Sequence, residues 1–196
     1  RLPAAMCGVV GLLPTNTRVS RHGVMPLSFS LDNAGPLART VRDCARLTGV
    51  IAGFDPLDPT SSAHAVPDYE LGIEAPISGV RLGVPVHRHW GGLAPDVRAA
   101  LETSLDVFRD LGAEIVELQT PDPRPLDALA NTIILSEAAA IHARWLREKG
   151  GEYTPLVRDR IQFGFSFPAT KYVEALSLRG SLLNGYLDDV FAKVDV

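Results

Sequence analysis

Between Val80 and Leu118 the chain reads as strand, helix, strand. Val80-Arg81-Leu82-Gly83-Val84-Pro85-Val86 is a short apolar run of strand length. Pro95 to Leu111 then carries Val97, Leu101, Leu105, Phe108 and Leu111 on one helical face. Gly112 ends the helix, and Ala113 to Leu118 forms a second apolar run. Two strands joined through a helix suggest a right-handed crossover and a parallel pair. This unit predicts an α/β fold and constrains the chain more than any other segment.

Breakers divide the remainder. Gly8 to Leu12 is an apolar run flanked by glycines, suited to a buried strand or a close backbone approach. Pro14 to Pro26 reads as an irregular loop. Thr40-Val41-Arg42-Asp43 matches a capping box, and Val41, Cys44, Thr48 and Ile51 follow at helical spacing until Gly53. Residues 54 to 79 hold four prolines and form a surface connection. After Pro121, Pro123 and Pro125, a long helix is expected from Leu126 to Lys149, ending at Gly150-Gly151. Thr154-Pro155 opens another helical stretch, broken between Gly164 and Pro168. A last helix is expected over Lys171 to Lys193, weakened by Gly180 and Gly185. Helices outnumber strands, and the sheet reads as incomplete.

Length and charge exclude several classes. With 196 residues the chain can bury roughly 70% of its unfolded surface, enough for one domain with a core. Its 19 basic and 23 acidic residues provide no global field for polyanions. Two cysteines cannot build a disulfide framework, and no uncharged apolar run reaches the ~18 residues that span a bilayer. A cytoplasmic protein without direct nucleic-acid or membrane contact is the expectation; a homo-oligomer stays open. The chain opens at Arg1 without a polar lead-in and stops at Val194-Asp195-Val196, where a β-branched alternation begins. Both ends read as cuts through a longer protein.

The residues with chemical potential have ordinary explanations. His87-Arg88-His89 could ligate a metal if a third ligand converged, but its proline and glycine flanks favour a solvent-facing loop. His22, His64 and His142 have no spacing partner and read as structural or exposed. Cys7 and Cys44 read as buried small hydrophobes, and Asp188-Asp189 as a solvated edge. Arg18, Arg21 and His22 could bind an anion, although loop arginines more often bond carbonyls. Asp32, two residues after Ser30, is expected to order nearby amides. No nucleophile is visible beside its base, so chemistry alone leaves the chain's job open.

The first sixty residues add a resemblance. Arg1-Leu2-Pro3-Ala4-Ala5-Met6-Cys7-Gly8-Val9-Val10-Gly11-Leu12-Leu13-Pro14-Thr15 resembles the tail of the signature segment of the amidase signature family. Arg18 to Gly23 and Ser30 to Val41 resemble its next two blocks, in order, and Gly53, Asp55 and Asp58 resemble its G-x-D-x-x-D stretch. The resemblance implies a mixed sheet surrounded by helices, incomplete here at both ends. It implies amide hydrolysis by a Ser–Ser–Lys triad, with no cofactor and a small or medium amide as substrate.

By the same resemblance the nucleophile stands two residues before Arg1, and the rest of the triad lies further upstream. Arg1 then shapes the turn after the nucleophile, while Leu13 departs from a frequent lysine that is not the triad lysine. The expected organisation is 1–60 as the end of the conserved core, 61–125 as a linker plus strand–helix–strand unit, and 126–196 as a variable helical region. Leu126 to Phe191 is where substrate choice is expected; the sequence names no pocket residue. Two other readings share these blocks. One is the amidase-like component of a tRNA-dependent amidotransferase, and the other is a non-catalytic binding domain descended from the family.

Overall fold

The computed structural model describes residues 1–86 and 92–196. The chain divides into two compact units, Arg1–Glu74 with Ile134–Phe167, and Ala75–Ile133 with Pro168–Val196.

The first unit begins with a helix that the sequence pattern did not suggest, α1 (Leu2–Cys7). Six residues are too few to display an amphipathic period, so only its ends are readable. A proline sits in the first turn, and Gly8 closes the helix in the left-handed region with φ 63°. The apolar run behind it supplies β1 (Val10–Gly11), half-buried and paired antiparallel with β2 (Leu37–Ala38). The intervening residues are loop, joined to the next helix by a bridge between Val19 and Ala52.

That helix, α2 (Val41–Ile51), starts where the capping box lies: Thr40 Oγ1 accepts from the Asp43 amide. The box is completed differently from expectation, because the Thr40 hydroxyl donates to the Asp43 carboxylate at 2.7 Å. Of the apolar stripe only Cys44 and Thr48 are buried, while Val41 and Ile51 are exposed. Cys44 Sγ lies 3.5 Å from the Val10 carbonyl oxygen, so β1 covers the middle of the stripe and not its ends.

The long helix α4 (Pro123–Lys149) starts three residues before the expected Leu126. Pro123 and Pro125 are tolerated in its first turn, where amides have no intrahelical partner. After a 3₁₀ turn at Gly150–Glu152 comes α5 (Pro155–Phe163), then a second 3₁₀ turn at Gly164–Ser166. His142 is buried, with Nδ1 2.7 Å from the Tyr153 hydroxyl and its ring edge-to-face with Trp145 and Tyr153. Of the two placements expected for it, structural or exposed, the buried one is observed. At Gly164 a Cβ would fall 2.0 Å from the Leu135 carbonyl oxygen and 2.8 Å from Ala139 Cβ. Only glycine lets the chain cross α4 this closely.

In the second unit β3 (Arg81–Pro85) and β4 (Glu114–Leu118) pair in parallel, Arg81 opposite Glu114 and Pro85 opposite Leu118. This is the pairing predicted from the strand–helix–strand pattern. The helix between them, α3 (Pro95–Asp110), differs from expectation in packing. Val97, Leu101 and Leu111 are 45%, 39% and 57% exposed, and no residue of α3 is buried. The core is built instead from Leu118, Val190 and Val194, with Val116 and Tyr186 against it. Val190 and Val194 follow α6 (Ala169–Tyr186), which runs through Gly180 and gives way to a π-helical segment at Leu187–Phe191.

The last residues lie along the free edge of β3. The Val196 amide donates to the Arg81 carbonyl, and the Val196 carbonyl accepts from the Gly83 amide, the spacing of a parallel strand. Arg81 also holds the Asp195 carboxylate, whose pKa falls to about 2 because the guanidinium and the Arg81 amide both donate to it. Among the described residues no helix is long and apolar enough to cross a membrane.

The crossing at Gly164 yields a test. Gly164→Ala is expected to destabilise the chain by about 1–3 kcal/mol, because the added methyl meets backbone that must move. Gly150→Ala, with nothing within 4 Å of its Cβ, should leave the urea midpoint nearly unchanged.

Candidate functional site

The loops of the first unit are held by backbone bonds such as Ser62 N–H to the Thr17 carbonyl and, in addition, by their own polar side chains. Asp32 Oδ2 accepts from the amides of Leu27 and Ser28 at 2.8 and 3.0 Å, the ordering role expected of it. Arg18 donates to the carbonyls of His64 and Ala65 and to the Tyr69 hydroxyl. Arg21 donates to the Phe29 carbonyl and to Thr60 Oγ1. Both arginines therefore tie loops down.

The two aspartates of the G-x-D-x-x-D stretch act in the same way. Asp55 accepts from Ser20 Oγ at 2.6 Å and from the Leu57 amide, in that order the main reasons its pKa is lowered. Asp58 accepts from the Arg21 amide at 2.8 Å and from the hydroxyl and amide of Thr60. Its pKa is lowered to about 2, the Arg21 amide contributing most. A shallow cavity of about 160 Å³ lies beside them, bounded by Arg21, His22, Phe29 and Asp32.

The most buried polar cluster was not foreseen. Glu137, on α4 and 3% exposed, turns its carboxylate onto the loop containing Ser28 and Ser30. Oε2 accepts from Ser28 Oγ at 2.5 Å and from the Ser30 amide at 3.0 Å, and Oε1 accepts from Ser30 Oγ at 2.8 Å. A serine beside a carboxylate raises the question of an activated nucleophile. Ser28 is completely buried, so no substrate carbonyl can reach its oxygen. More than a hundred positions separate these partners, and no periodicity links them.

Other expectations divide. Cys44 is buried as predicted, but Cys7 is exposed. In the short α1 it is Ala4 that is buried, and β1 packs against Ala4, leaving Cys7 outside the contact. His22 and His64 are exposed, Asp188 and Asp189 are exposed, and Leu13 is half-exposed. The pair His87 and His89, with Arg88 between them, lies outside the described residues. Among the described residues no group of three His, Cys, Asp or Glu side chains is placed to share a metal.

The second unit holds a larger cavity, of about 460 Å³. Pro123, Leu126 and Leu129 from the start of α4 form one wall, and Leu182, Leu183 and Tyr186 from α6 form the other. The leucines are spaced as helical neighbours in the sequence, but which helices face one another is a tertiary property.

The family model described as Amidase matches residues 1–193. Over its whole length the chain is 39% identical to an amidase of Pseudomonas putida, of which it covers 42%. It is 38% identical to the glutamyl-tRNA(Gln) amidotransferase A chain of Roseiflexus sp. (strain RS-1), of which it covers 45%. A solved structure described as an amidase superposes with a TM-score of 0.80 at 31% identity, all of this chain matching 41% of that one. The chain thus spans less than half the length of these relatives.

The Asp58 network predicts an acid-sensitive step. A carboxyl whose pKa is lowered by folding contributes stability that is complete above its ordinary value of 3.8 and lost as pH falls toward about 2. In urea unfolding followed through that window, Asp58→Asn should show a shallower loss of stability with falling pH than the unaltered chain.

Proposed function

The chain belongs to the amidase family, and we propose that it forms the middle of an amide hydrolase whose nucleophile precedes Arg1. The ordered match of the blocks in residues 1–60, continued by the family match to residue 193, carries this reading. In the mechanism implied by the resemblance, a serine oxygen attacks the amide carbonyl as its proton passes to a second serine and a lysine. The tetrahedral intermediate loses the amine, and water then releases the acyl group as the acid. The residues of this chain perform none of these transfers; α1, capped at Arg1, sets where the preceding turn can lie.

Within that protein we assign residues 1–60 to the end of the conserved core, 61–125 to a linker and the strand–helix–strand unit, and 126–196 to the substrate side. The 460 Å³ cavity between α4 and α6 supports the last assignment. Its leucines and prolines suit an amide carrying an alkyl or aryl group. Leu183→Trp, which narrows the cavity, should raise KM for such amides roughly 10-fold while leaving the smallest amides nearly unaffected.

The full-length protein carrying this sequence is expected to release ammonia from primary amides, and its nucleophile-to-alanine variant to release none; equal rates would overturn the reading. The 196-residue chain alone should show no turnover. A second reading has direct support, because the glutamyl-tRNA(Gln) amidotransferase relative matches at almost the same identity as the amidase. Glutaminase activity that requires a partner protein would select it.

A further inference from the structure

We propose that Glu137 is a positioning residue for the nucleophile, acting through the loop it anchors; this rests on the reading that the nucleophile lies immediately before Arg1. The connection can be followed atom by atom within the first unit. Glu137 holds Ser28 and Ser30 through hydroxyl and amide donors. Asp32 closes the same turn by accepting the Leu27 and Ser28 amides, so the segment is cross-braced at both ends.

From that turn the chain is pressed onto the end of β1. Asn33 Nδ2 donates to the Pro14 carbonyl, and the Leu12 amide donates to the Pro36 carbonyl at 3.2 Å. A Cβ on Gly35 would fall 2.2 Å from the Leu12 carbonyl oxygen, so no side chain separates the two backbones. β1 in turn touches α1 without a spacer: a Cβ on Gly11 would meet Ala4 Cβ at 2.5 Å and Arg1 Cα at 3.9 Å. Ala4 is buried by this contact. The amide of Ala5 donates to the Arg1 carbonyl, which fixes the first peptide of α1.

Close-packed backbones transmit a displacement instead of absorbing it. Loss of the Glu137 anchor therefore shifts β1, then α1, and with them the residue that enters α1. Misplacement of a nucleophile by a fraction of an ångström lowers the rate of bond formation more than it lowers binding.

The experiment uses the full-length protein carrying this sequence, with Glu137→Gln, Ser30→Ala and Ser30→Thr. Reactive sites are counted by labelling with a fluorophosphonate, and kcat is expressed per labelled site beside KM and Tm. Glu137→Gln and Ser30→Ala are expected to lower kcat per labelled site roughly 10-fold with KM little changed. Ser30→Thr, which keeps the hydroxyl, should restore most of it. If only the fraction of labelled protein falls while kcat per site is preserved, Glu137 merely supports the fold and the proposal is overturned. If the nucleophile-to-alanine variant retains turnover, the hydrolase reading itself fails, a separate outcome.

Discussion

A carboxylate taken out of water has to find its donors elsewhere, and the loops of the first unit are arranged around that requirement. Glu137 lies on the buried side of α4, where the segment from Ser28 to Ser30 supplies hydroxyl and amide groups. Hydrogen bonds to a charged group are worth about 1.5–3 kcal/mol each, and leaving such a group unmet costs more. A loop with little regular structure is thereby anchored to α4. Asn33, Gly35 and Pro36, next along the chain, lie against β1 and the residues after it.

The same requirement explains how many charged side chains of these loops are engaged. The chain contains 15 prolines, several of them in the loops between Pro14 and Pro76. Proline lacks an amide donor and shortens ladders, so many carbonyls and amides here are satisfied by side chains. Arg18, Arg21, Asp32, Asp55 and Asp58 fill that role, each bonding at least one main-chain group. An arginine pair beside a histidine resembles an anion site in sequence; here its donors are engaged by carbonyls and hydroxyls.

The pattern of agreement between sequence and structure follows from range. The strand–helix–strand unit, the Thr40 cap and the long helices rest on neighbours within a few residues; all are present with small shifts at their ends except the last helix, whose α-helical part stops at Tyr186, short of the expected Lys193. Helix α1 was not legible because its six residues make fewer than two turns, too few to show an amphipathic period. The exposure of Cys7, of Val41 and of the α3 face depends on what packs against each helix, which no local period encodes. Glu137 and the walls of the larger cavity were hidden for the same reason: their members converge from separated segments.

What the amino-acid order determined by itself is the set of elements and the family resemblance, because caps, breakers and periodicity act locally and ordered blocks are read one residue at a time. Tertiary structure alone decided which polar groups meet and which apolar faces are covered. Burial and hydrogen-bond partnership are properties of two segments at once, and a single segment carries no record of the other. The serine loop shows the difference: its residues were visible as a block, while the carboxylate that holds them became a partner only when α4 folded across it.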